Sequence, residues 1–206
     1  MANTNSPNGF LSFGHRDGSA PTMGLERKFI NSSDTNLYFT GDVVAVSSAA
    51  PALLAPYIGS SGVPTAYGVF AGCEYYNSNV ARVVWSSYFP ASVGSSSPVT
   101  AYVISDPEMQ FVVQASSTPI TSTMVGNNVN ILTSVSSLGN QTTGISNMTI
   151  ASTQIGATSS FPFYIVDVYS NFAPPGATGT DNTANYNKAI VAFNYVARRG
   201  TIIAST

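Results

Sequence analysis

Apolar residues in this chain recur in short runs at a two-residue spacing, and no window places them at i, i+3, i+4 and i+7 across three helical turns. The runs cover residues 43–46, 69–71, 81–85, 99–104, 111–114, 129–132, 148–150, 163–169 and 189–195. Each is rich in β-branched and aromatic side chains and is bounded by Gly, Pro, Asn or Ser, the pattern of strands closed by turns. In the last run Ala189, Val191, Phe193 and Tyr195 share one face and Ile190, Ala192 and Asn194 the other, as in a strand covered on both sides. With turn signals every 8 to 14 residues or so, the spacing predicts a mainly β fold, an antiparallel β-barrel or β-sandwich, with a jelly roll among the topologies it allows.

Charge is the second constraint. Between Glu108 and Asp167 no charged side chain occurs, and only 8% of the whole chain is Asp, Glu, Lys or Arg, against about 25% in an ordinary soluble domain. Spread over the roughly 9,200 Å² expected of a folded 21.5 kDa chain, the 7 basic and 9 acidic side chains leave about one charge per 570 Å². So neutral a surface, rich in Ser, Thr, Asn and Gly, is suited to lying against other subunits.

The 206 residues suffice for one substantial core. Residues 1–36 differ from the rest, since they carry Pro7, Gly9, Gly14, Gly18, Pro21 and Gly24, no long apolar run, and a large share of the charges. They read as an extended N-terminal arm ahead of a β body at 37–206. Phe10, Leu11 and Phe13 give that arm apolar anchors, to dock on a neighbour or on its own body. The segment 171–187, with Pro174-Pro175-Gly176, reads as a loop poor in apolar content.

Several function classes find little support. The net charge is −2, and basic residues never cluster beyond Arg27-Lys28 and Arg198-Arg199, so no stripe matches a phosphate backbone and nucleic acid is not expected as a partner. No apolar stretch reaches the length of a membrane span, and the first residues lack the basic-then-apolar order of a secretory signal, so a soluble, unsecreted protein is expected. The acceptor patterns at Asn31, Asn140 and Asn147 then read as polar turns. One cysteine, Cys73, and one histidine, His15, offer neither a disulfide nor a zinc site of ordinary spacing, and neither a metal nor a cofactor is expected.

Catalysis would have to use few groups. His15, the only possible triad base, sits in the Gly-rich arm, whereas such chemistry needs rigid placement. Cys73 adjoins Glu74, which raises a thiol pKa rather than lowering it. Asp106 and Glu108 flank Pro107 and share a strand face, but Asp-Pro is equally a turn former. Gly59, Gly62 and Gly68 do not form a phosphate-cradling loop. Tyr75, Tyr76, Trp85, Tyr88 and Phe89 form an aromatic cluster that fits either a sugar-binding surface or packing at a core or interface.

Three segments and their order carry a resemblance. Tyr38-Phe39-Thr40-Gly41-Asp42-Val43-Val44-Ala45 has a Gly-Asp-hydrophobic strand opener; Gly68-Val69-Phe70-Ala71-Gly72-Cys73-Glu74-Tyr75 follows; then comes Ala101-Tyr102-Val103-Ile104-Ser105-Asp106-Pro107 with Phe111-Val112-Val113-Gln114. Together with Val125-Gly126-Asn127-Asn128, Gly144-Ile145-Ser146-Asn147-Met148 and Phe161-Pro162-Phe163-Tyr164-Ile165-Val166-Asp167, this order resembles the head decoration, or cement-like, structural proteins of tailed bacteriophages. The match spans most of residues 38–194. The ending departs from it: where such proteins close on Asn-x-His, this chain has Asn194-Tyr195-Val196.

The resemblance implies a non-enzymatic virion protein on the exterior of a phage head, made in the host cytoplasm. Its partners would be the major capsid protein and copies of itself, as a trimer or dimer. Phe10, Leu11, Phe13, Arg16, Arg27 and Lys28 become candidate capsid contacts. The aromatic cluster leaves a receptor- or glycan-binding virion module as the alternative.

Overall fold

A computed structural model describes residues 3–20, 24–47, 53–57, 66–93, 99–132, 139–170 and 181–194. The first eight strands are β1 (Leu11–His15), β2 (Leu25–Ile30), β3 (Tyr38–Phe39), β4 (Val43–Val46), β5 (Leu54–Pro56), β6 (Ala66–Asn77), β7 (Arg82–Ser86) and β8 (Tyr88–Phe89). The remainder are β9 (Val99–Ile104), β10 (Met109–Gln114), β11 (Asn128–Leu132), β12 (Gly139–Asn140), β13 (Ile145–Ser146), β14 (Thr149–Gly156), β15 (Phe163–Val168) and β16 (Lys188–Phe193). A single 3-10 turn at Ser122–Met124 is the one helical element among the described residues.

Two antiparallel sheets pack as a sandwich. The first runs β1-β10-β16-β15-β11-β14, and the second β2-β9-β6-β4-β5 with β7 also on β6. Of the barrel and sandwich the periodicity allows, the sandwich forms: a single parallel bridge from Phe29 to Leu53 draws β2 towards β5, but the described residues form no closed barrel.

The core between the sheets is aromatic. Phe111, Phe163 and Phe193 from the first sheet meet Val43, Ala66, Val69 and Ile104 from the second. Phe163 stacks on Phe193 at 5.0 Å between ring centroids, and Phe111 meets Phe193 edge-on at 5.2 Å. A second cluster, with Ile30, Tyr38, Val44, Phe70, Cys73, Phe89 and Val103, fills the opposite face of the second sheet. Val43 and Val44 therefore point to different cores, which is why that strand is apolar at every position and buried throughout.

Strand pairing begins earlier than the apolar runs indicate. β1 lies along β10 at the edge of the first sheet, and β2 along the full length of β9 in the second. Phe10 is 2% exposed and stacks on Phe163. Of the two dockings open to residues 1–36, the described part takes the one on the chain's own sheets. The physical reason is visible in β2: Leu-Glu-Arg-Lys-Phe-Ile has no apolar alternation, because Glu26 and Lys28 on one of its faces pair with each other at 3.2 Å.

The Gly41-Asp42 strand opener has a structural task. Asp42 is buried; one carboxylate oxygen accepts the Phe39 N–H at 2.7 Å and the other the Ser146 hydroxyl at 2.5 Å. That hydroxyl in turn accepts the Met148 N–H at 2.9 Å, so one carboxylate ties the turn before β4 to the segment joining β13 and β14. The loop 171–187 falls outside the described residues up to 180; at its far end Asn187 is buried, donating to the Ile120 carbonyl and accepting from the Ile120 N–H.

Candidate functional site

The first sheet covers only one end of the second. Along β6 the register pairs Val69 with Ile104, Gly72 with Tyr102 and Glu74 with Thr100, and a bulge between Phe70 and Gly72 keeps these residues on one face. The same face takes Leu25, Arg27 and Phe29 from β2, through Ile104, Tyr102 and Thr100, and Trp85 and Val83 from β7, opposite Glu74 and Tyr76. At Val69 and Ile104 it is buried under the first sheet. Beyond Gly72 it is bare: Trp85 is 61% exposed, Val83 64%, Phe29 43% and Tyr76 40%.

Gly72 sets the floor of this face. Its backbone lies at φ +139°, and a Cβ there would sit 2.7 Å from the Trp85 ring, so the indole rests against bare backbone. Beside it the Arg27 guanidinium stacks over Tyr102 at 5.8 Å. The result is a platform of aromatic and aliphatic side chains with one cation and, at Glu74, one anion. Such a platform can bury against a protein surface or hold the apolar face of a sugar ring.

The aromatic cluster read from the sequence divides. Tyr76 and Trp85 belong to the platform, whereas Phe89 is fully buried in the second core, Tyr75 packs against that core, and Tyr88 stacks on Phe39 at 5.7 Å. Strand alternation separates 75 from 76, but runs of adjacent aromatics conceal which parity faces outwards. The sequence does not single out Tyr102, Phe29 or Val83 as members of this face. Alternation within 99–104 is the available signal for Tyr102, while the charges around Phe29 mask its own.

The six candidate contacts divide as well. Phe10 is inside the core. Leu11 and Phe13 are exposed, the latter meeting Tyr169 edge-on at 5.9 Å. Arg16 sits 5.8 Å over Tyr164 and 3.7 Å from Glu108, Arg27 joins the platform, and Lys28 lies 4.7 Å over the Tyr67 ring.

The remaining chemical candidates resolve into structural pairings. His15 Nδ1 faces Asp17 at 2.6 Å and Nε2 faces Asp106 at 3.2 Å, so both ring nitrogens are engaged by carboxylates. The hydrogen bond to Asp17 chiefly raises its pKa, against some loss from burial. Asp106 also caps its own turn, accepting the Glu108 N–H at 3.0 Å. Cys73 is fully buried, and burial, with Glu74 adding to it, pushes its thiol up to about 12. Among the described residues no group of three His, Cys, Asp or Glu side chains is placed to hold a metal ion, and no helix is long and apolar enough to cross a membrane.

No protein-family model, curated protein or solved structure matches the chain.

Proposed function

We propose that this chain is a structural protein of a tailed-phage head, which decorates and stabilises the shell by binding the major capsid protein lattice and neighbouring copies of itself. The observation that carries the reading is the bare half of the second sheet, where Trp85, Val83, Tyr76 and Phe29 stay in water although the same face is core a few residues away. Exposed apolar area of this kind, on a chain with 8% charged residues, suits a surface completed by assembly. The motif order that resembles decoration proteins supports the class of assembly. In this reading the platform, rather than Phe10, makes the principal shell contact, with Leu11, Phe13 and Arg16 on the first sheet as a second contact.

Co-sedimentation with undecorated shells tests the proposal. Wild-type protein should pellet with shells, and Trp85→Ala should weaken attachment by about thirtyfold, the effect of losing some 2 kcal/mol at an aromatic anchor. Unchanged attachment would remove the platform from the contact; no attachment by the wild type would remove the function.

One observation favours a second reading. An indole lying on a glycine floor, on a face that also carries Arg27 and Glu74, has the composition of a glycan platform, which makes a receptor-binding virion module the alternative. Saccharide binding that is lost on Trp85→Ala, without shell binding, would decide for it.

A further inference from the structure

The strand that carries Trp85 has an edge to offer. Among the described residues β7 pairs only with β6, along Cys73 to Asn77. Edge strands in folded proteins are normally guarded by Lys, Pro, a bulge or a covering element. The other edges of the two large sheets are guarded: β1 is bulged between Ser12 and Gly14, β2 carries Glu26, Arg27 and Lys28 and is drawn towards Leu53, β5 is three residues long and ends on Pro56, and β14 has Ala115 bridged to Ile150. β7 reads Arg-Val-Val-Trp-Ser, with its one charge at the end and with Val83 and Trp85 as exposed apolar side chains.

The geometry points to a second copy of this chain as the occupant of that edge, paired β7 to β7 in antiparallel fashion about a two-fold axis through Val84. This deepens the reading of the chain as a self-associating structural protein, and rests on it. Antiparallel partners lie opposite one another when their numbers sum to a constant, and a two-fold axis perpendicular to the sheet leaves each side chain on its own face. Centring on Val84 therefore sets Val83 against the partner's Trp85 and Trp85 against the partner's Val83, an aromatic on a β-branched residue at each crossing. Arg82 falls opposite the partner's Ser86, so no like charges meet. Centring on Val83 would instead place Trp85 against the partner's Ala81, a turn residue at φ +51°; centring on Trp85 would place Arg82 against the partner's Tyr88. The axis through Val84 also keeps both platforms on the same side, joined into one aromatic face of twice the width.

Charge exchange and cysteine scanning in solution, without shells, test this pairing. Sedimentation velocity should show wild-type monomer and dimer in exchange. A chain with Val83→Lys and Trp85→Lys, or one with Val83→Glu and Trp85→Glu, should keep its circular dichroism and weaken in self-association at least thirtyfold, while an equimolar mixture of the two should dimerise again. Under oxidation Val84→Cys should cross-link to itself faster than Val83→Cys or Trp85→Cys. Directly opposed Cα atoms about 4.5–5.5 Å apart fall within disulfide reach, whereas the neighbouring positions meet their own copies only diagonally. A wild type that stays monomeric, substituted chains that associate as the wild type does, or cross-linking fastest at 83 or 85 would each overturn the proposal. Shell co-sedimentation of Val84→Lys, which sets two like charges directly opposite one another at the axis and leaves Val83 and Trp85 in place, separates the outcomes, since attachment that survives the loss of pairing leaves the proposed function standing.

Discussion

The Phe10 ring stacks on Phe163 with 4.7 Å between centroids and 26° between planes, so a residue ahead of the first strand is part of the aromatic core. Its backbone is held too, the Phe10 N–H donating to the Gly41 carbonyl at 3.0 Å. Phe10→Ala is expected to destabilise the fold by about 3–5 kcal/mol, the usual cost of deleting a core phenylalanine. Phe13→Ala, at a half-exposed ring touching Tyr169, should cost under about 1.5 kcal/mol. Urea titration of both variants reads the difference. Deleting residues 1–36 removes β1, β2 and Phe10 together and should abolish the β signal in circular dichroism; a folded truncated body would contradict the placement of these strands.

That contrast also shows how far the fold is legible in the sequence. Runs 43–46 and 99–104 coincide with β4 and β9, because each has at least one fully buried face and the two-residue period is then undiluted. β2 is invisible for the opposite reason: only Ile30 of its six side chains is buried, and pairing with β9 holds the rest without leaving an apolar signature. The platform is half visible. Trp85 and Tyr76 stand out by residue type, but which aromatics face water depends on the bulge at Gly72 and on how far the first sheet reaches along β6, and both are set by long-range pairing.

Asp42 supplies a pH dependence with a definite sign. Burial pushes its carboxyl up to about 7, against the hydrogen bonds from Ser146 and Phe39 that favour the anion. In the unfolded chain the group ionises near 3.8, so from about pH 4 to pH 7 the folded state retains a proton that the unfolded state has lost. This group's contribution to stability therefore falls across that window, by about 1.4 kcal/mol for each step of one in pH, and levels off above it. Asp42→Asn should remove that slope. Ser146→Ala deletes a donor to the carboxylate and should cost about 1–3 kcal/mol above pH 7, where the anion is left short of a partner. Chemical denaturation at half-unit pH steps compares the three; a parallel fall in wild type and Asp42→Asn would locate the dependence elsewhere.

His15 acts in a higher window. With its pKa raised by Asp17, and further by Asp106, its contribution is fully present below the unfolded value of 6.5 and is lost as pH rises through the folded one. Because His15 is the only histidine, its ring-proton resonance titrates alone in an NMR spectrum, and the midpoint should lie above 6.5. Asp17→Asn should lower that midpoint more than Asp106→Asn does. The reverse order would make the 3.2 Å contact, not the 2.6 Å one, the dominant partner.

Trp85 is the only tryptophan, so intrinsic fluorescence reports on the platform without a label. At 61% exposure its emission should be that of a solvated indole and should be quenched readily by iodide. Gly72→Ala tests what holds the ring in place: a Cβ 2.7 Å from the indole and 3.0 Å from the Ser86 carbonyl, at φ +139°, must displace β7 or the ring. The expected outcome is a loss of about 1–3 kcal/mol of stability, with weaker self-association and weaker shell attachment than the wild type. Trp85→Ala, by contrast, should leave stability within about 0.5–1 kcal/mol of wild type, since most of the ring is already in water. If Trp85→Ala instead unfolds the protein, the indole is a core residue in solution and the platform does not exist as a binding surface.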